Sequence, residues 1–182
     1  MRHFRVAFAA CVALSVAAHP GAATAAGSES TAASPYAWTL QIDPLTTALG
    51  FAHIQVERAL TPNFSIYVGP SLRLYSSVFD EEPSPFVGIG AEVGLRYFFK
   101  PSAPQGLWVQ VRGVIARLSS DEQGGKTGMG GYGSALVGYT WIFGGRWVLA
   151  AGAGVNYLQY TIAGMGTEGL LPAAHTTFGV AF

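Results

Sequence analysis

The sequence predicts an all-β protein, an eight-stranded antiparallel up-and-down β-barrel of the transmembrane type. Three observations lead to this prediction. Apolar and polar residues alternate along most of the chain, the connections between the alternating segments differ in length at the two ends, and charged residues are scarce. Only 11% of the 182 residues are charged, whereas a soluble domain usually carries about 25%. We therefore expect something other than water to cover part of the surface of this single domain.

The first 26 residues have the features of a cleaved signal peptide. Two arginines precede an apolar run over residues 6–18, and small residues over 21–26 offer a cleavage site. The run is shorter than the about 20 residues that a membrane-spanning helix needs. Export of the chain follows from this prediction.

The exported part divides into a lead and a barrel. Residues 27–35 are small and polar, which is typical of a flexible lead, and residues 36–182 carry the alternation. The only cysteine, Cys11, lies in the signal peptide, so disulfides and cysteine-dependent zinc sites are excluded after cleavage. Balanced charge, with 10 basic and 10 acidic residues and no basic block, argues against a nucleic-acid partner.

Each predicted strand has two different faces. From residue 64 onward, Phe64, Ile66 and Val68 alternate with small, polar or amphipathic residues, a period of two that a helix would scatter around its circumference. Most segments reach the 9 to 11 residues of a membrane-spanning strand. The predicted strands cover residues 37–46, 50–59, 64–76, 86–99, 106–118, 131–143, 147–161 and 172–182.

The predicted connections are tight at one end of the barrel and longer at the other. Three tight connections cover residues 60–63, 100–105 and 144–146, and three longer ones cover residues 77–85, 119–130 and 163–171. Short turns on one side and longer loops on the other are typical of outer-membrane barrels. The first connection, around residues 47–49, departs from this rule.

Aromatic residues gather where the strands meet the tight connections, which favours an interfacial belt. The predicted belt contains all four tryptophans, Trp38, Trp108, Trp141 and Trp147, together with Tyr36, Phe64, Phe98, Phe99 and Phe143. A soluble barrel would place its tryptophans at the middle of the strands.

Most charged residues within the strands share a face with glycine, serine or glutamine rather than with isoleucine and leucine. We expect this face to line the lumen, which in an eight-stranded barrel is wide enough only to be filled by side chains. The predicted lumen network consists of Asp43, Glu57, Arg73, Glu92, Arg96 and Arg112. Three acids and three arginines at close quarters would form hydrogen-bonded ion pairs, so we expect the lumen to be plugged.

Taken together, these features resemble the small eight-stranded outer-membrane barrels of Gram-negative bacteria, a group that includes the transmembrane domain of outer membrane protein A, OmpX and the opacity-type proteins. The resemblance lies in pattern rather than in a motif, and covers nearly all of residues 27–182. It implies a closed lumen, contact with outer-membrane lipids including lipopolysaccharide, and a role in envelope integrity, adhesion or surface interaction. The chain end, with Phe178, Val180 and Phe182, resembles the signal read by the barrel-assembly machinery, although Thr177 stands where that signal usually has glycine.

Only one residue pair suggests catalysis. Lipid A deacylases of the barrel type carry a membrane-facing His-x-Ser pair near the outer rim, and here His175 is followed by Thr177. Threonine replaces the nucleophilic serine and the alternation turns both residues inward, so we expect no enzyme activity. His53 and His175 are too isolated in sequence for a metal site and are expected to form hydrogen bonds in the lumen or at the interface. No cofactor is expected.

The sequence thus predicts a non-catalytic outer-membrane barrel with a structural or surface-interaction role. The main alternative is a narrow porin-like channel for small solutes or ions. A soluble secreted barrel with an apolar ligand would place its apolar residues inside, and a helical membrane protein would span residues 127–167, where several glycines make a poor helix. Acidic residues on the long connections predict a solvated rim, or alternatively a contact with divalent cations or an unknown partner among phosphorylated lipids: Asp80, Glu81, Glu82, Asp121, Glu122 and Glu168.

Overall fold

The computed structural model describes residues 34–48, 50–73, 87–120, 126–162 and 165–182. All of them belong to one unit, Thr31–Phe182. The predicted signal peptide and all but two residues of the predicted lead lie outside the described residues.

Eight antiparallel strands form one closed barrel in which every strand pairs with its neighbours in chain order and the last strand pairs with the first. This confirms the predicted all-β, up-and-down architecture and excludes the helical alternative for the described residues, 127–162 and 165–167. The strands are β1 (Trp38–Ile42), β2 (Phe51–Thr61), β3 (Phe64–Arg73), β4 (Val87–Phe98), β5 (Gly106–Ser120), β6 (Lys126–Phe143), β7 (Trp147–Ile162) and β8 (Met165–Ala181).

The alternation in sequence becomes two chemically different walls. Outward-facing Ile89 and Ile115 expose 66% and 67% of their surface, whereas inward-facing Glu57 and Arg96 expose none. Large apolar side chains are exposed along every strand from β1 to β8, and sixteen of the described polar or charged residues are buried. A soluble protein buries its apolar residues in preference to its charged ones, so this barrel has the reverse arrangement.

Strand β1 is shorter than predicted, because it ends at Ile42 and the helix α1 (Pro44–Ala48) follows. The backbone N–H of Thr46 donates to Asp43 Oδ1 at 3.0 Å, so Asp43 caps the helix, and Pro44 fits the first helical position. Strand β1 consequently pairs with β8 over four positions, whereas β7 and β8 pair over sixteen. Within the described residues, no helix is long and apolar enough to span a membrane.

Strands β6 and β8 are longer than predicted. β6 begins at Lys126 rather than at residue 131, and β8 begins at Met165 rather than at residue 172. The predicted long connection over residues 163–171 is therefore wrong, since β7 and β8 pair up to Ile162 and Met165. Glycines interrupt the apolar alternation in both added segments, and cross-strand hydrogen bonds, which the alternation does not report, hold them in the sheet.

The tight connections lie at one end of the barrel, here called the tight-turn end. Residues 62–63 join β2 to β3, residues 99–105 join β4 to β5, and residues 144–146 join β6 to β7. In the last turn Gly144 and Gly145 have φ values of 57° and 80°, which favour glycine. The connection over residues 74–86 and that over residues 121–125 lie outside the described residues.

Candidate functional site

A buried charge network occupies the middle of the barrel; it consists of Asp43, His53, Glu57, Glu92, Arg96, Arg112 and His175. These side chains come from β2, β4, β5 and β8 and from the residue that caps α1. All seven are buried, with at most 7% of any residue exposed. The barrel brings them together because the inward positions of successive strands face one another across a narrow lumen.

Glu57 is the most fully hydrogen-bonded acid of the network. Its Oε2 accepts from Arg96 Nη1 at 2.7 Å, and also from Gln41 Nε2 at 2.9 Å and Thr39 Oγ1 at 3.3 Å. Its Oε1 accepts from Ser65 Oγ at 2.5 Å. Neither Glu57 nor Arg96 exposes any side-chain surface, so the ion pair is dry. A carboxylate with four donors has its acceptor sites largely filled.

The guanidinium of Arg96 contacts both polar and aromatic side chains. Its Nε donates to Gln110 Oε1 at 2.5 Å, and its guanidinium carbon lies 5.1 Å and 4.9 Å from the ring centroids of Tyr67 and Trp108. Its Nη2 lies 2.8 Å from His175 Nε2. The cation therefore has a carboxylate, an amide, an imidazole and two aromatic faces as partners, which together replace its hydration.

His175 links the two arginines to the capping acid. Because arginine can only donate, Nε2 of the imidazole accepts from Arg96, and the other ring nitrogen, Nδ1, faces both Arg112 and Asp43. That nitrogen lies 3.5 Å from Asp43 Oδ2 and 3.2 Å from Arg112 Nη1. Thr176 Oγ1 also contacts Asp43 Oδ1, at 3.4 Å. This contact ties the network to the short seam between β1 and β8.

Glu92 forms the upper part of the network, on the side away from the tight turns. Its Oε2 lies 2.9 Å from His53 Nδ1, and its Oε1 lies 3.8 Å from Arg112 Nη1. Arg112 also donates from Nε to Ser134 Oγ at 2.8 Å. Glu92 is therefore held by a histidine and by a longer ion pair, a looser arrangement than that of Glu57.

Five of the six residues predicted for the lumen network lie inside the barrel, and the side chain of Arg73 lies outside what the structure describes. The structure decides the pairing: Arg96 pairs with Glu57 and not with Glu92. The two histidines belong to the network, whereas the sequence predicted for them only a hydrogen bond in the lumen or at the interface. The alternation of the sequence already indicated that both histidines point inward, because each shares a strand face with polar residues.

The predicted aromatic belt needs a correction at Trp108. Trp38, Trp141 and Trp147 are 38% to 44% exposed on the outer wall near the tight-turn end, but Trp108 is fully buried inside the barrel. Its Nε1 donates to Thr140 Oγ1 at 2.9 Å. A Cβ on Gly152 would lie 2.5 Å from its ring, so a glycine provides the space that the indole fills.

The alternation of side chains along each strand explains why Trp108 and Phe98 point inward. Trp108 lies two residues before Gln110 and four before Arg112, both of which point inward, and strand geometry gives all three the same face. Phe98 is corrected for the same reason, because it lies two residues after Arg96 and is fully buried.

Of the three residues predicted to form the assembly signal, Phe178 and Val180 lie on β8 and Phe182 follows its last residue. Phe178 is 42% exposed and stacks on Trp147, with ring centroids 5.6 Å apart and an interplanar angle of 11°. Phe182 is 63% exposed, and Val180 is half-buried. Their reading by an assembly machinery stays a prediction.

His175 and Thr177 both point inward and are buried, 1% exposed each. Thr177 Oγ1 donates to Gln41 Oε1, while His175 contacts Arg96, Arg112 and Asp43. Within the described residues, no group of three or more His, Cys, Asp or Glu side chains is arranged to hold a metal ion. Of the acids predicted for the rim, Glu168 is exposed and accepts from Tyr157 Oη at 2.9 Å, and the others lie outside the described residues.

Comparisons of the chain with known protein families, with curated proteins and with solved structures found no match.

Proposed function

We propose that this chain is a non-catalytic outer-membrane β-barrel protein with a structural or surface-interaction role and a plugged lumen. The signal peptide over residues 1–26 directs its export from the cytoplasm, and the barrel-assembly machinery of a Gram-negative cell reads the end of β8. The barrel then lies among the outer-membrane lipids, including lipopolysaccharide. The tight-turn end faces the periplasm and the opposite end of the barrel faces outward.

One observation carries the proposal: the outer wall is apolar and the interior is charged. Exposed apolar residues reach from Phe182 at the tight-turn end of β8 to Leu170, which is 69% exposed. In water such a wall would be an extensive apolar surface, far larger than a soluble monomer tolerates. In a bilayer it is the expected lipid-facing surface, and the closed barrel satisfies the backbone hydrogen bonds of the spanning strands. A soluble barrel with an apolar ligand predicts the opposite faces.

Fractionation combined with electrophoresis tests the membrane location. We expect the protein in the outer-membrane fraction, and we expect an unboiled sample to migrate differently from a boiled one because a closed barrel stays folded in detergent. Recovery of the folded protein in the soluble fraction would contradict the proposal.

The packing of the interior supports a plugged lumen over a channel. Arg96, Glu57 and His175 meet in the centre of the barrel with 1% or less of their surface exposed. Towards the tight-turn end, Phe98 and Trp108 add a fully buried apolar layer. We expect no steady conductance when the purified barrel is inserted into planar bilayers. Reproducible unit conductance would favour the narrow channel instead.

A further inference from the structure

Two arginine–tryptophan pairs lie on one side of the outer wall at the tight-turn end. The guanidinium carbon of Arg58 lies 5.0 Å from the ring centroid of Trp38, and that of Arg146 lies 5.8 Å from the ring centroid of Trp147. All four residues are exposed. Their side chains are not part of the buried charge network.

The pairs form one continuous patch across four neighbouring strands. Trp38 exchanges two backbone hydrogen bonds with Phe182, at 3.0 Å and 2.9 Å, and the backbone oxygen of Arg146 accepts from Ala181 N at 2.7 Å. Neighbouring strands lie about 4.8 Å apart, so the strand of Arg58 lies three spacings, about 14 Å, from the strand that begins at Trp147. Arg146 directly precedes Trp147 in the chain. We call this surface, which comprises Arg58, Trp38, Phe178, Phe182, Trp147 and Arg146, the arginine–tryptophan patch.

The patch contains two arginines that form no ion pair with an acidic side chain among the described residues. Among the residues that the structure describes, neither Arg58 nor Arg146 has a carboxylate within ion-pair distance, and the one exposed acid, Glu168, lies at the opposite end of the barrel. Stacking on an indole leaves the N–H groups at the edge of a guanidinium free to donate. These groups match phosphate oxygens, which arginine binds in a bidentate manner.

We infer that the arginine–tryptophan patch binds the headgroup phosphate of an anionic phospholipid in the leaflet at the tight-turn end. This inference depends on the proposed membrane location, because tryptophan side chains lie at headgroup level in a bilayer. The indoles set the depth of the patch, the guanidiniums bind the phosphate, and Phe178, which lies deeper along β8, packs against the acyl chains. A zwitterionic lipid presents the same phosphate beside a compensating cation and binds more weakly.

Native mass spectrometry of the folded barrel in a non-ionic detergent tests the inference. The protein is titrated with phosphatidylglycerol and, separately, with phosphatidylcholine of the same acyl chains. We expect tighter binding of phosphatidylglycerol, and about a fivefold loss of its affinity in Arg58→Gln and in Arg146→Gln, since a basic residue near an anionic lipid surface contributes about 1 kcal/mol. Arg58→Lys keeps the charge but loses the stacked, bidentate guanidinium, so its affinity for phosphatidylglycerol should lie between those of the wild type and Arg58→Gln.

Arg117→Gln is the matched control, because Arg117 is also exposed on the outer wall but lies on β5 away from the tight-turn end. It should leave the affinity for phosphatidylglycerol unchanged. Equal affinity for the two lipids, or an equal loss in Arg117→Gln, would overturn the inference. If the wild type fractionates with the outer membrane but shows no lipid preference, only this inference fails. If it does not enter the membrane, the proposed function fails first.

Discussion

Glu57→Gln removes the charge of the most buried carboxylate while nearly preserving its shape. The new amide can keep its oxygen toward Arg96 and Gln41, and the Ser65 hydroxyl can rotate to accept from the new NH2 group. The main loss is therefore the counter-charge of Arg96, which has no exposed surface and only neutral partners left in direct contact. Breaking a buried ion pair by removing one partner costs about 3 to 5 kcal/mol.

Urea unfolding in lipid vesicles, followed by tryptophan fluorescence, measures this cost. With a slope of about 2 kcal/mol/M, a loss of 4 kcal/mol lowers the midpoint by about 2 M. Glu168→Gln applies the same substitution to an exposed acid and should change the free energy of unfolding by less than about 1 kcal/mol. A double variant, Glu57→Gln with Arg96→Met, should lose less than the sum of the two single variants, because the buried cation is removed with its partner.

The urea midpoints of the two glutamate variants test whether the buried ion pair stabilises the barrel. If Glu57→Gln and Glu168→Gln unfold at the same urea concentration with the same slope, the ion pair does not stabilise the barrel. Additive losses in the double variant would also contradict the pairing of Glu57 with Arg96.

Three further predictions concern the interior. Glu92→Gln should lower the free energy of unfolding by about 1 to 3 kcal/mol in the same assay. This loss is smaller than that of Glu57→Gln because the ion pair of Glu92 with Arg112 is 3.8 Å long. A loss larger than that of Glu57→Gln would contradict this ranking. Gly94→Ala should lower the free energy of unfolding by about 1 to 3 kcal/mol, because the new Cβ would lie 2.2 Å from a buried tyrosine ring. The control is Gly113→Ala on the outward face, where a Cβ meets nothing within 4 Å and the change should be near neutral. Equal urea midpoints for the two variants would refute the argument. Among variants with a single tryptophan, brominated lipids should quench Trp141 on the outer wall but not Trp108, and strong quenching of Trp108 would place it on the wrong face.

The sequence alone determined the strands and their faces, because a strand places alternate side chains on opposite sides whatever its neighbours are. Inward positions such as Glu57 and Arg96 could therefore be read directly. Trp108 could have been read in the same way. Trp108 was assigned to the belt because it lies near the end of its strand. Its place in the alternation, which fixes the face of the sheet on which a side chain lies, assigns it to the interior instead.

Only the tertiary structure decided which charges pair and where the strands end. Arg96 meets Glu57 rather than Glu92 because the stagger of the closed barrel sets which inward positions share a level, and that stagger depends on all eight strand pairs together. β6 and β8 extend through glycine-rich segments because a paired neighbour supplies the hydrogen bonds that local sequence does not specify. Alternation is a local property of the chain, whereas register and closure come from contacts between residues far apart in sequence.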